Sequence, residues 1–257
     1  MDGTLLNENH ELNSDFYPLF EQMKKRGILF TAASGRQFFN LQNKFAAIKD
    51  EMAFIAENGS YVVYKGKDIF VQAMDTGTVR SLILRAREIP GIDIILCGKK
   101  SAYLENTAPE FMHHVAMYYD ERQVVGNLLD VDDDQFLKIA ICDLRGSEKN
   151  SLPHFLQFQD SLQVKVSGHI WLDLSHKLAN KGTALKMLQK ELQITEAETM
   201  VFGDYLNDLE MMQQAYFSYA MENAHADIKK ASRFMARSNK ENGVGLILKE
   251  LITSFPQ

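Results

Sequence analysis

The 257-residue sequence has only two cysteines, one tryptophan and five prolines. Cys97 and Cys142 sit far apart inside apolar runs, without Cys-x-x-Cys spacing. Zinc-ribbon and dithiol redox chemistry therefore drop out, and buried, reduced thiols are expected. No apolar run approaches the roughly 18 residues of a membrane-spanning helix. No basic segment followed by an apolar one opens the chain, so the expected location is the cytoplasm, away from membranes. Positive charge is not in excess: the net charge is -6, with no dense Lys/Arg patch, and no nucleic-acid partner is expected. Small anions would need a locally positive site. Internal repeats and low-complexity runs are also missing.

What is present is a regular alternation. Phe16, Leu19, Phe20 and Met23 fall at helical spacing before Gly27, and the apolar run Ile28 to Ala33 follows, ending at Ser34-Gly35-Arg36. A helix over 37–48, a buried strand over 52–56 ending at Glu57-Asn58-Gly59, and a hairpin over 61–64 and 68–71 continue the pattern. This is the grammar of an open α/β sheet. From about residue 76 helices and strands mix differently, with helices expected at 79–88, 109–119 and 152–162 and strands at 92–97, 102–104, 136–144, 164–166 and 170–174. From Lys181 the first grammar returns, with helices at 182–192, 206–215, 226–231 and 244–252 and strands at 200–202 and 217–221. The expected organisation is a core of residues 1–76 and 179–257 interrupted by an inserted α+β domain, 77–178.

Loops that follow buried strands in such a sheet share one edge, where ligands bind. Ser34-Gly35-Arg36 offers a hydroxyl and successive backbone N–H groups suited to phosphate oxygens, or alternatively a polar helix cap with a glycine turn. Lys181, opening a helix against the dipole, is either a cation for a phosphoryl group or a solvent-exposed lysine. Gly203-Asp204-Tyr205-Leu206-Asn207-Asp208 brings two carboxylates and an amide to one strand end. Such hard oxygen donors suit Mg2+, although an N-cap Asp204 with a first-turn Asp208 would read the same way. His169, Trp171 and Asp173, expected on one side of one strand, either meet a leaving group or simply pack. Phe111-Met112-His113-His114 allows the same two readings.

In order and spacing, Asp2-Gly3-Thr4-Leu5-Leu6, Ser34-Gly35-Arg36, Glu57-Asn58-Gly59, Asn180-Lys181-Gly182-Thr183, Gly203-Asp204-x-x-Asn207-Asp208, Met221-x-Asn223-Ala224 and Asn239-x-x-Asn242-Gly243 resemble the Cof-type haloacid dehalogenase-like phosphatases of subclass IIB. The resemblance runs along essentially the whole chain and is nearest to bacterial sugar-phosphate phosphatases. It implies a Rossmann-like core with a parallel sheet, and an inserted α/β cap that selects the substrate. It further implies a Mg2+-dependent phosphomonoester hydrolase acting on a small phosphorylated metabolite through an aspartyl-phosphate, as a monomer or weak homo-oligomer. Asp2 matches the acid/base carboxylate. Ser34, Gly35, Lys181 and Asn207 match the phosphate-binding groups, with Ser34 and Lys181 also assisting catalysis. Asp2, Asp204 and Asp208 match the metal site.

One departure stands out. The family pattern is Asp-x-Asp-Gly-Thr, and Met1 occupies the x, so the nucleophilic Asp and its strand lie outside this sequence. Asp2 as nucleophile, with Thr4 two residues on, fits the Gly-Thr-Leu-Leu continuation less well. The economical expectation is a natural start several residues upstream, and an inactive or weakly active chain without it. The competing function is a catalytically silent phosphate- or nucleotide-binding regulator of the same fold.

Overall fold

The computed structural model describes residues 1–254. Its first part runs α1 (Phe16–Lys25), β1 (Thr31–Ala33), α2 (Phe38–Lys44), β2 (Ala53–Ala56), β3 (Tyr61–Tyr64) and β4 (Lys67–Val71). The middle comprises α3 (Thr76–Arg87), β5 (Asp93–Gly98), β6 (Ala102–Leu104), α4 (Pro109–Ala116), β7 (Arg122–Val124), β8 (Phe136–Cys142), β9 (Leu162–Gly168) and β10 (Trp171–His176). The last part holds α5 (Lys181–Leu192), β11 (Met200–Gly203), α6 (Leu209–Met212), β12 (Phe217–Met221), α7 (Ala226–Ala231), β13 (Phe234–Ala236) and α8 (Gly243–Ser254).

The core strands form two ladders rather than the single sheet expected. β1 pairs parallel with β2, which continues antiparallel to β3 and β4, while β11, β12 and β13 pair in parallel. Among the described residues, no strand hydrogen-bonds the β1 edge to the β11 edge. Packing unites the two ladders. One cluster joins Phe16, Phe20 and Met23 of α1 and Phe54 and Ile55 of β2 with Leu188 of α5, Met221 of β12 and Leu248 of α8. The apolar spacing that predicted α1 therefore marks its buried face.

The middle region forms its own six-stranded sheet, in the order β7-β6-β5-β8-β10-β9, antiparallel apart from β6 with β7. Leu96, Ile139, Ile141, Leu172 and Leu174 on one face join Val79, Leu82 and Ile83 of α3 in one core. On the other face, Cys97, Ala140, Cys142 and Trp171 meet Phe111 and Val115 of α4. Both cysteines are free and buried as expected, and burial pushes the Cys142 thiol up to about 12.

Two expected helices are absent as such. Residues 152–162 instead form separate 3-10 turns, Leu152–His154 and Leu156–Phe158, which drop Phe155 into the core. Residues 206–215 are broken into a turn, Leu206–Asp208, followed by the short α6, because the Asp208 carboxylate is tied back to earlier groups. The brief edge strands β7 and β13 carry no alternating pattern that announces them.

Candidate active site

The Ser34, Glu57 and Asp204 loops leave the carboxyl ends of β1, β2 and β11. They open onto a cavity of about 960 Å3, roofed by the middle domain. Asp2, Ser34, Gly35, Lys181, Asp204, Asn207 and Asp208 all line it, as do His169, Trp171 and Asp173. Residues spread over the whole sequence thus face one space.

Residues 1–6 form a tight turn in which the Met1 carbonyl accepts from the N–H groups of Thr4, Leu5 and Leu6. Gly3 has φ +72°, and a methyl group there would collide with the Asp204 carboxylate, so only glycine lets the two loops touch. The Thr4 hydroxyl donates to Asp204, Asn223 donates to the Gly3 carbonyl at 2.8 Å, and Asn239 donates to that of Leu6 at 2.9 Å.

Lys181 is the first residue of α5 and is buried, which removes the solvent-exposed reading; its Nζ donates to Asp208 Oδ1 at 2.6 Å. Asp208 Oδ2 accepts from the Asp204 N–H at 3.0 Å. Burial alone would push the Asp208 carboxyl up, but the Lys181 charge reverses this and holds it below the ordinary range. Asp204 is pushed up, chiefly by burial.

Ser34 does not cap α2, whose N-cap is Gln37. Its Oγ instead accepts from the Arg36 N–H at 3.2 Å, leaving the hydroxyl proton free to donate. Asn207 Nδ2 donates to Asn58 Oδ1 at 3.0 Å.

The expected three-carboxylate metal set is not assembled. Asp2 turns to Arg36, with Nη2 at 2.7 Å and Nε at 2.9 Å, and to His10 at 3.0 Å. Against the opposing effect of burial, the Arg36 contacts hold Asp2 well below the carboxylate range. Among the described residues no group of three or more His, Cys, Asp or Glu is placed to hold a metal. Mg2+ binds through one or two carboxylates while keeping waters, and Asp204 and Asp208, which both line the cavity, supply hard oxygen donors of that kind. They are the residues that would hold it, and the ion would supply positive charge next to a bound phosphoryl group.

The three expected specificity residues do not share a strand. His169 is exposed in the turn before β10; Trp171 packs edge-on to Tyr118 and Tyr119, with centroids 6.1 and 6.3 Å away. Asp173 is engaged by Asn58 at 3.1 Å and Lys138 at 3.5 Å. In the 111–114 segment Phe111 is core and His114 reaches the cavity. Sequence reasoning missed Arg36 as the partner of Asp2, Asn58, and Lys138. Lys138 had a signal: it is the one charge inside the fully buried strand Phe136–Cys142.

The model of the haloacid dehalogenase-like hydrolase family matches residues 1–248. A relative from Escherichia coli (strain K12), 5-amino-6-(5-phospho-D-ribitylamino)uracil phosphatase YbjI, is 37% identical over 254 residues, covering 95% of this chain and 91% of its own. SMU.1108c from Streptococcus mutans UA159 superposes with a TM-score of 0.88 at 27% identity, over 99% of this chain and 97% of its own. The subclass IIB sugar phosphatase BT4131, at 20% identity, shares the fold with a TM-score of 0.80 over 98% of this chain and 96% of its own. Motifs, site geometry and these matches agree: the chain belongs to the haloacid dehalogenase-like hydrolases and has the Cof-type, subclass IIB phosphatase fold.

Proposed function

We propose that the protein is a Mg2+-dependent phosphomonoester hydrolase acting on a small phosphorylated metabolite, with residues 77–178 as its substrate-selecting cap. The observation that carries this reading is the buried Lys181–Asp208 pair set beside Ser34, Asn207 and Asp204 in one roofed cavity. The Ser34 hydroxyl, the Gly35 amide and Asn207 bind phosphoryl oxygens, and Lys181 offsets their charge. A carboxylate oxygen attacks phosphorus as the ester P–O bond breaks, and Asp2, by resemblance the acid/base group, protonates the departing alkoxide after it leaves Arg36 and takes up a proton from solvent. Asp2 then takes a proton from the water that cleaves the aspartyl-phosphate, releasing phosphate. The attacking carboxylate is assigned by resemblance to the first Asp of the family's Asp-x-Asp-Gly-Thr pattern.

The named activity of the E. coli relative and the ring-rich roof of Tyr118, Trp171, His114 and His169 support a leaving group that carries a heterocycle on a polyhydroxylated chain. The protein is further expected to act as a monomer or weak homo-oligomer in the cytoplasm; no helix among the described residues is long and apolar enough to cross a membrane.

The test is a panel of aryl, sugar and ribitylaminouracil phosphates with Mg2+, run on the chain and on a form extended by a strand ending in Asp. Turnover by the extended form is expected. If that form binds phosphate without any turnover, the hydrolase reading fails and the silent phosphate-binding regulator takes its place.

A further inference from the structure

Lys138 lies on β8, on the face it shares with Ala140 and Cys142. Its ammonium is buried and points out of the cap into the core loops. Three oxygens surround it: the Gly35 carbonyl at 2.9 Å, Glu57 Oε2 at 2.9 Å and Asp173 Oδ2 at 3.5 Å. The Tyr119 ring lies 5.7 Å away. The ammonium donates hydrogen bonds to the Gly35 carbonyl and to Asp173, and Glu57 adds a counter-charge, so its interactions are with protein groups of both domains.

Its partners are the backs of the phosphate-handling loops. The Gly35 carbonyl and the Arg36 N–H belong to one planar peptide unit, so holding the carbonyl also sets the N–H. That N–H is the group donated to Ser34 Oγ, which fixes the direction left for the Ser34 proton. On the second arm, Lys138 and Asn58 share Asp173 Oδ2, and Asn58 Oδ1 accepts from Asn207. The chain of contacts therefore runs from the Ser34 turn through the cap to Asn207.

The Glu-Asn-Gly turn at its centre depends on external support. Glu57 and Asn58 both adopt left-handed backbone, φ 51° and 55°, which side-chain-bearing residues adopt uncommonly. Gly59, at φ +99°, packs so closely on Asn180 and Lys181 that a methyl group would collide with the Asn180 carbonyl. Neither Glu57 carboxylate oxygen accepts a well-directed hydrogen bond, so Lys138 is the counter-charge for a fully buried acid.

We propose that Lys138 is a cap-borne positioning residue, which sets the geometry of the Ser34–Gly35 turn and, through Asp173 and Asn58, of Asn207. The phosphate-handling loops thus take their working form only when the cap is docked. This rests on the phosphatase reading above, and it reassigns Asp173 from contacting the leaving group to holding the loops.

The test measures inorganic phosphate binding with Mg2+ on the full chain, alongside hydrogen exchange of residues 34–36. Lys138→Met removes the charge. Lys138→Arg keeps the buried acids paired and the protein folded, while its planar fork cannot meet the same three oxygens. Both are expected to weaken phosphate by about tenfold, the size of one lost hydrogen bond to a charged group. Both should also raise exchange at 34–36 with no change in α1. Folded variants that bind phosphate within about twofold of the parent, or that leave exchange at 34–36 unchanged, overturn the proposal. A parent chain that binds no phosphate overturns the site reading itself, and the proposal with it.

Discussion

Two buried lysines reach the same cavity region from opposite sides, with side chains 3% and 4% exposed. Lys181 is met by one carboxylate, and the second oxygen of that carboxylate is satisfied by a backbone amide four residues earlier in its own loop. This pair is completed within the core, by segments that the sheet edge already brings together. Lys138 is met by two carboxylates and a carbonyl, of which Gly35 and Glu57 belong to the core and Asp173 to the cap. Its charges balance only across the joint between the domains. The first lysine is organised for charge offset at a ligand, whereas the second holds the groups that receive the ligand.

The comparison can be broken most severely at Lys181. Lys181→Met leaves Asp208 charged and unpaired in the interior, and should lower stability by about 3–5 kcal/mol, read from the urea midpoint. Gly59→Ala attacks the contact between the two systems. The collision with Asn180 and the positive φ predict a loss of more than about 1 kcal/mol by thermal unfolding, with phosphate binding weakened as well. Asp143→Asn tests the cap separately. Asp143 is fully buried and accepts from Ser151 and Asn150. Burial raises its pKa, but these hydrogen bonds outweigh that and hold it below the ordinary carboxylate value. Its contribution is therefore complete above the unfolded pKa, near 3.9, and is lost as pH falls through the lower folded value. The substitution should cost about 1–3 kcal/mol at neutral pH and flatten the acid side of the stability profile. Asp173→Asn should have the smallest effect, about threefold in phosphate affinity, because the amide still accepts from Asn58 while only the more distant partner of Lys138 is lost.

Much of the core was legible because its site residues sit in short contiguous motifs directly after buried strands. Ser34, Lys181, Asn207 and the two aspartates of the 203–208 loop could each be placed at the same edge without knowing any side-chain geometry. Asp2 was legible as a position but not as a contact: nothing in the spacing shows that Arg36 takes its carboxylate away from Asp204 and Asp208. The cap was harder to read. Leu152, Phe155, Leu156 and Phe158 imitate a helical face, yet the segment forms two short turns from which Phe155, Leu152 and Phe158 pack while Leu156 stays exposed. His169 and Asp173 look alternating in sequence, but a turn and an interdomain ion pair separate their surroundings. The hub residue Asn58 read only as part of a turn, since its partners come from segments 115 and 149 residues away.

The most direct measurement is a titration of inorganic phosphate in the presence of Mg2+, followed by 31P NMR, on the parent chain and on Lys181→Met at a temperature where both are folded. The account predicts saturable binding to the parent, weakened by about thirtyfold or more when the buried cation is removed. Equal binding by the two proteins would contradict it, because the Lys181 charge would then play no part in holding the phosphoryl group.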